Sequence, residues 1–223
     1  MTQEPLSIEK TVVRQLHLDY LRYLPPEYGQ EPGKKWPLIL FLHGAGERGC
    51  DLDQVRVHGI PKVVEQQALP FVTLSPQCPP NQWWSDYLPA LDALLDETVE
   101  TLAIDPRQIY LTGLSMGGYG TWHMAVEYPD RFAAIAPICG GGAWMYSIYQ
   151  RIGEIRHIPT WVFHGAKDRV VPPRESKEMV RVLKKCGGDV RLTIYPNADH
   201  DSWTETYNNP ELYNWFLSHR KAD

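Results

Sequence analysis

The sequence has no apolar run approaching the roughly 20 residues that a membrane-spanning helix needs. Its N-terminus, MTQEPLSIEK, lacks the basic head and apolar stretch of a secretion signal. Together these absences predict a cytoplasmic protein, or a secreted one if a leader has been trimmed away. Positive charge is not in excess: 22 Lys and Arg stand against 27 Asp and Glu, a formal charge of −5. That balance gives nucleic acid and anionic membrane no electrostatic hold, so neither is expected as a partner. Cysteine is sparse and scattered. Cys50, Cys78, Cys139 and Cys186 show no C-x-x-C spacing, which argues for reduced thiols over a metal site or a disulfide framework. Cys50 and Cys78 each follow a candidate strand, so a bond between them is the alternative. A G-x-x-x-x-G-K phosphate loop is missing, as are internal repeats, low-complexity tracts and any linker, so one domain over residues 1–223 is expected.

What is present alternates. PLILFLHG, FVTLSPQ, QIYLTGLS, FAAIAPICG, PTWVFHGAKD and VRLTIYPNADH are short, nearly continuous apolar runs, as suits strands of a mostly parallel sheet buried on both faces. An opening segment, TVVRQLHLDYLRYLP, alternates in part and predicts one or two strands at an antiparallel edge. Between the runs lie VHGIPKVVEQQA, YLPALDALLDETVETLA, GGYGTWHMAVEYPDRF and PPRESKEMVRVLKKCG, all of helical length. In the second of these, Leu91, Leu94, Leu95, Val99 and Leu102 mark one face. Strands alternating with helices indicate an open α/β sheet, whose ligand sites gather at the carboxyl ends of its strands.

One strand end stands out. Gly113-Leu114-Ser115-Met116-Gly117 fits G-x-S-x-G between a strand and a helix, the setting in which a serine hydroxyl is exposed on a sharp turn. A hydroxyl is a weak nucleophile until a base takes its proton. Of the eight histidines, His200 follows a late strand in a polar turn and is the candidate base. His43 and His164 precede glycines at strand ends and suit turn-stabilising roles, and His123 suits packing within a helix. His17, His58, His157 and His219 lack catalytic surroundings. Asp168, beyond the strand in WVFHGAKDRVVP, is the candidate acid that orients the imidazole; Asp199 and Asp201 adjoin His200 too closely in sequence to reach its ring well. The order Ser115, Asp168, His200 is that of α/β-hydrolases. Backbone N–H groups for a developing oxyanion should come from Met116 and from HGAGERG over residues 43–49, with Ala45 the first choice of donor and Gly46 the second. An ion pair of Glu47 with Arg48 would hold that loop.

With these residues in view, YLRYLPPEYG, WPLILFLHGAGERG, LPFVTLSPQCP, IYLTGLSMGGYGTW, FAAIAPICGGG, WVFHGAKDRVVP and DHDSWTETY make the chain recognisable. It resembles α/β-hydrolase esterases of the phospholipase/carboxylesterase-like group. That group is related to feruloyl esterases and dienelactone-hydrolase-like proteins, and some of its members are labelled peptidases. The resemblance implies an α/β-hydrolase fold with helices on both faces of the sheet, and carboxylic-ester hydrolysis by Ser115, Asp168 and His200 with neither cofactor nor metal. Dienelactone hydrolases proper use cysteine where Ser115 stands. Fewer than 20 residues separate FAAIAPICGGG from PTWVFHG, too few for a self-supporting cap domain of roughly 50 residues or more. An open site follows, suited to short acyl or aryl esters or to esters on larger, exposed molecules. Trp84, Trp144 and Tyr119 are candidate substrate contacts, while Trp83 and Trp203 also fall near strand ends. Competing expectations are a serine peptidase or amidase, and a non-catalytic binding module on a hydrolase scaffold.

Overall fold

The computed structural model describes residues 3–11, 13, 15–142 and 146–222. Trp144 lies outside the described residues. Seven strands form one sheet: β1 (Tyr20–Tyr23), β2 (Trp36–Leu42), β3 (Val72–Pro76), β4 (Ile104–Leu114), β5 (Ala134–Ile138), β6 (Thr160–Gly165) and β7 (Val190–Tyr195). Their spatial order is β1-β3-β2-β4-β5-β6-β7, with every pairing parallel except β1 against β3. The opening segment thus contributes one four-residue strand at the antiparallel edge, and none of the described residues before it lies in a strand. Val13 is 90% exposed, and among the described residues β1 is the outermost strand of the sheet.

The helices are α1 (Gly59–Gln66), α2 (Leu88–Thr101), α3 (Met116–Glu127), α4 (Tyr146–Arg151), α5 (Arg174–Lys185), α6 (Trp203–Tyr207) and α7 (Pro210–Leu217). Alternation along β2 divides them between two layers. Leu38, Leu40 and Leu42 pack with Leu91 and Leu95 of α2, Trp122 of α3 and Met179 of α5. Ile39 and Phe41 face the other way, towards Ile60 of α1, Tyr207 of α6 and Phe216 of α7. Burial on both faces explains the unbroken apolar runs. At roughly 25 cal/mol per Å² of apolar surface removed from water, these two clusters are the main stabilising term. α7 has a sequence signal of its own: the Asn209 side chain caps it by accepting the Glu211 N–H, and Pro210 occupies its first turn, where no N–H is needed. Between β5 and β6 the described residues form only α4 and the 3-10 turn Ile152–Ile155.

Candidate active site

β4 ends at Leu114 and α3 begins at Met116, so Ser115 alone turns the chain, at φ 52° and ψ −113°. A non-glycine residue keeps a positive φ like this at a cost of about 1–3 kcal/mol, and only where its surroundings over-determine it. Here the Ser115 N–H is tied to the Ile138 carbonyl at 3.0 Å. Gly117 lets the first turn of α3 press on β2: a Cβ at that position would sit 1.9 Å from the Leu42 carbonyl oxygen.

Two further strand ends supply the partners. His200, after β7, places Nε2 3.0 Å from Ser115 Oγ, and its Nδ1 lies 2.7 Å from Asp168 Oδ2, after β6. Asp168 Oδ1 accepts the N–H groups of Val170 and Val171, each at 2.9 Å. The Asp168 side chain is fully buried, whereas that of His200 is 21% exposed, so the chain of hydrogen bonds opens to solvent at its Ser115 end. A carboxylate beside Nδ1 requires a hydrogen on that nitrogen, which leaves Nε2 of the neutral ring as an acceptor aimed at the hydroxyl. Trp203 meets the His200 ring edge-on, with centroids 5.2 Å apart, and His58 packs against the same indole at 5.5 Å.

Met116, at the first position of α3, has its N–H at a helix N-terminus, where no carbonyl within the helix can reach it. Ala45 and Gly46 open a 3-10 turn after β2 and are exposed. Gly44 sets this turn against the end of β4, since a Cβ on it would lie 2.8 Å from Leu114 Cδ1. The expected pair of Glu47 with Arg48 is replaced by other contacts, because successive residues of so tight a turn diverge. Glu47 turns inward, 3.7 Å from His43 Nδ1 and 3.8 Å from His58 Nε2. Arg48 instead donates to the Ala45 carbonyl at 3.0 Å and to the Gln82 carbonyl at 3.2 Å. The alternative disulfide is not formed either: Cys50 and Cys78 are both free, one exposed and one buried.

A cleft of about 200 Å³ starts at Met116 and is walled by Trp83, Trp84, Tyr119 and His123. Trp84 is only 1% exposed, and its indole N–H donates to the His43 carbonyl at 2.9 Å, so it braces the end of β2 as well as the cleft. Burial pushes His123 down to about 4, making it a neutral wall. The sequence places His123 as helix packing, and its position seven residues after Met116, two turns along α3, is the only sign that it borders this cleft. A second cleft, of about 340 Å³, borders His200 and is lined by Lys167, Arg169, Val170 and Asp199. Lys167 and Arg169 were not singled out by the sequence. Cys139, Asp168 and His200 bring donor atoms within 4.8 Å of one another. They do not fit a resident cation, because the carboxylate and imidazole bond each other and burial raises the Cys139 thiol far above its ordinary value.

Comparison with known proteins places the chain. The phospholipase/carboxylesterase family pattern matches residues 69–209. Over 159 residues the chain is 44% identical to poly(3-hydroxyalkanoate) depolymerase C of Paucimonas lemoignei, an alignment covering 53% of this chain and 37% of that protein. Over 222 residues it is 25% identical to an acylamino-acid-releasing enzyme of Arabidopsis thaliana, covering 80% of this chain and 29% of that one. The crystal structure of a thermostable esterase superposes with a TM-score of 0.78 at 36% identity, over 92% of this chain and 60% of the esterase. The chain therefore spans well under half the length of both curated relatives. Among the described residues no helix is long and apolar enough to cross a membrane.

Proposed function

Since the chain belongs to the phospholipase/carboxylesterase family, we propose that it hydrolyses carboxylic esters by acyl transfer to Ser115, with His200 as general base and Asp168 as the acid that orients it. The observation that carries this reading is the unbroken pair of hydrogen bonds, 3.0 Å from Ser115 to His200 and 2.7 Å from His200 to Asp168.

Ser115 Oγ attacks the ester carbonyl as His200 Nε2 takes its proton, and Asp168 Oδ2 stabilises the imidazolium that forms. The carbonyl oxygen, now negative, accepts from the Met116 N–H and from Ala45, with Gly46 the second candidate. Each such donor contributes about 3–4 kcal/mol to the transition state. Collapse of the tetrahedral intermediate breaks the ester C–O bond, and the alcohol leaves with the proton from His200. Water then gives a proton to His200 as it attacks the acyl-enzyme, and His200 passes a proton to Ser115 Oγ as the acyl–Oγ bond breaks, releasing the carboxylic acid and free Ser115.

The leaving alcohol must depart on the side of the histidine that protonates it, which puts it in the cleft beside Lys167 and Arg169. The acyl group takes the opposite side, against Met116, Trp84 and Tyr119. A cleft of about 200 Å³ suits a short chain or a single ring, given that a cavity of roughly 150 Å³ admits benzene. The 44% identity to a poly(3-hydroxyalkanoate) depolymerase over about half of this chain supports esters attached to polymers as well as small ones. The four free thiols, two of them exposed, support a reducing compartment.

Hydrolysis of p-nitrophenyl esters from acetate to palmitate, by wild type and by Ser115→Ala, tests this reading. Turnover should peak at short chains and fall at least about 10⁴-fold in the variant. Undiminished turnover by Ser115→Ala, or anilides cleaved faster than the matching esters, would overturn it.

A further inference from the structure

His164 is the last side chain of β6 before Gly165, and it is fully buried. Its Nε2 lies 2.8 Å from the Val171 carbonyl and 3.2 Å from Asp168 Oδ2. Its Nδ1 lies 2.7 Å from Ser176 Oγ on α5. A carbonyl can only accept, so Nε2 carries a hydrogen whatever the charge of the ring. That hydrogen points mainly at Val171 and has Oδ2 as its second acceptor.

Two consequences meet at Asp168. The Val171 N–H holds Asp168 Oδ1 while the Val171 carbonyl is held by His164, so the turn carrying the carboxylate is clipped back onto its own strand. The oxygen that His200 uses, Oδ2, also faces the His164 N–H. We propose that His164 is a positioning residue for the Ser115–His200–Asp168 relay: it fixes the turn that holds Asp168 and shares the carboxylate oxygen that stabilises the His200 imidazolium. This rests on the esterase reading of the same site.

The surroundings of His164 define how it acts. Its titratable neighbours are Asp168 on its own loop, His200 from the loop after β7, and the Cys139 thiol at the end of β5, which lies against Asp168 and His200. From β7 it faces Ile194 across the ladder. From α5 it meets Ser176, while the neighbouring Glu175 packs against Gly141 instead. Burial lowers the His164 imidazole from its ordinary value, and the Val171 carbonyl and Asp168 oppose that only in part. In the neutral ring Nδ1 is an acceptor and shares the single Ser176 hydroxyl hydrogen with the Gly140 carbonyl, which lies 2.8 Å from Ser176 Oγ. The N–H facing Oδ2 draws on the charge that would otherwise be available to the His200 imidazolium. Removing it should make His200 hold its proton to higher pH and therefore fail as a base sooner on acidification.

Two near-isosteric substitutions separate this from a merely structural role. His164→Gln keeps a donor where Nε2 stands, whereas His164→Asn keeps polarity only at the Nδ1 end. In His164→Asn the acid limb of kcat/KM should move up by about half to one pH unit, and kcat should fall about tenfold with KM unchanged. His164→Gln should keep the wild-type limb. A readout independent of substrate is the downfield proton resonance of the His200 Nδ1–H bond to Asp168, displaced in His164→Asn and unmoved in His164→Gln. If the Asn variant fails to fold, Ser176→Ala, which unties the other ring nitrogen, should displace the same resonance by a smaller amount. Equal limbs and unmoved resonances in these variants would overturn the proposal. A wild type that turns over no ester, with the resonance shifts as expected, would instead sink the esterase reading and leave the placement of His164 standing.

Discussion

β2 and β6 end in nearly the same words, FLHG and VFHG, and the two His-Gly corners do different things. At the first, His43 Nε2 accepts the backbone N–H of Cys78 at 2.9 Å from beyond β3, and its Nδ1 hydrogen goes to the Gly44 carbonyl at 2.6 Å. At the second, His164 offers its Nε2 hydrogen to Val171 and Asp168. The tautomers are opposite because one ring meets a backbone donor and the other meets two acceptors. Both rings are buried at the end of an interior strand; what differs is the segment that comes to rest beside each. The glycines differ in the same way. A Cβ on Gly165 would stand 2.0 Å from the Asp199 carbonyl oxygen, one residue before His200, whereas on Gly44 it would meet the Leu114 Cδ1 methyl at 2.8 Å.

The sharpest way to break this comparison is at the glycines. Gly165→Ala collides with backbone and must push the His200 segment away from Ser115, so kcat should fall about 100-fold or more. Gly44→Ala meets the end of a flexible side chain that can turn aside, and should cost less than about tenfold. Steady-state kinetics with a short-chain ester, alongside melting curves, would show it; equal losses at the two corners would contradict the distinction.

The histidines give a smaller effect that depends on pH. Burial pushes His43 down to about 4. Between that value and about 6.5 the unfolded chain binds more protons than the folded one, so this contribution is full at neutral pH and is lost as pH falls through the window. For His43 it amounts to about 2 kcal/mol by pH 5. His43→Leu should flatten that loss yet lower stability at pH 7 by about 1–3 kcal/mol, because the Cys78 N–H is left without an acceptor. His123 is also pushed down to about 4 by burial, but its Nε2 is buried with no hydrogen-bond partner. His123→Leu should therefore flatten the acid loss while leaving stability at pH 7 unchanged or about 1 kcal/mol higher. Urea melts at pH 7 and pH 5 would separate the two substitutions, and a pH 7 loss at His123 equal to that at His43 would refute the contrast.

Much of this was legible in the sequence, and the gaps have physical causes. Doubly buried strands such as LILFL and YLTGL show themselves as unbroken apolar runs, and the glycines around Ser115 mark a turn with no room for side chains. Spacing and chain order single out the three residues that converge, since each follows a strand and parallel strands bring those ends to one edge. The extent of β1 was not legible, because Leu16, Leu18 and Tyr20 alternate like a strand but only Tyr20–Tyr23 finds a partner in β3. α7 was hidden behind Asn208-Asn209-Pro210, which suits a turn as well as a cap. Glu47 and Arg48 diverge with the turn, and two of the partners they then meet, His58 and Gln82, arrive from further along the chain, so local sequence holds no trace of those contacts.

Ser115 sits at the end of β4, in the middle of the sheet, while His200, 85 positions later, follows β7 at its outer edge. Edge strands open more readily than central ones, so on the proposed reading the nucleophile stands on the better protected strand and its base beside the less protected one. On refolding, far-UV dichroism should recover as the central strands assemble, and labelling of Ser115 by a fluorophosphonate should lag behind until β7 docks. Each molecule would acquire its reactive serine only once its sheet is complete, so a half-folded chain would carry the hydroxyl without the chemistry.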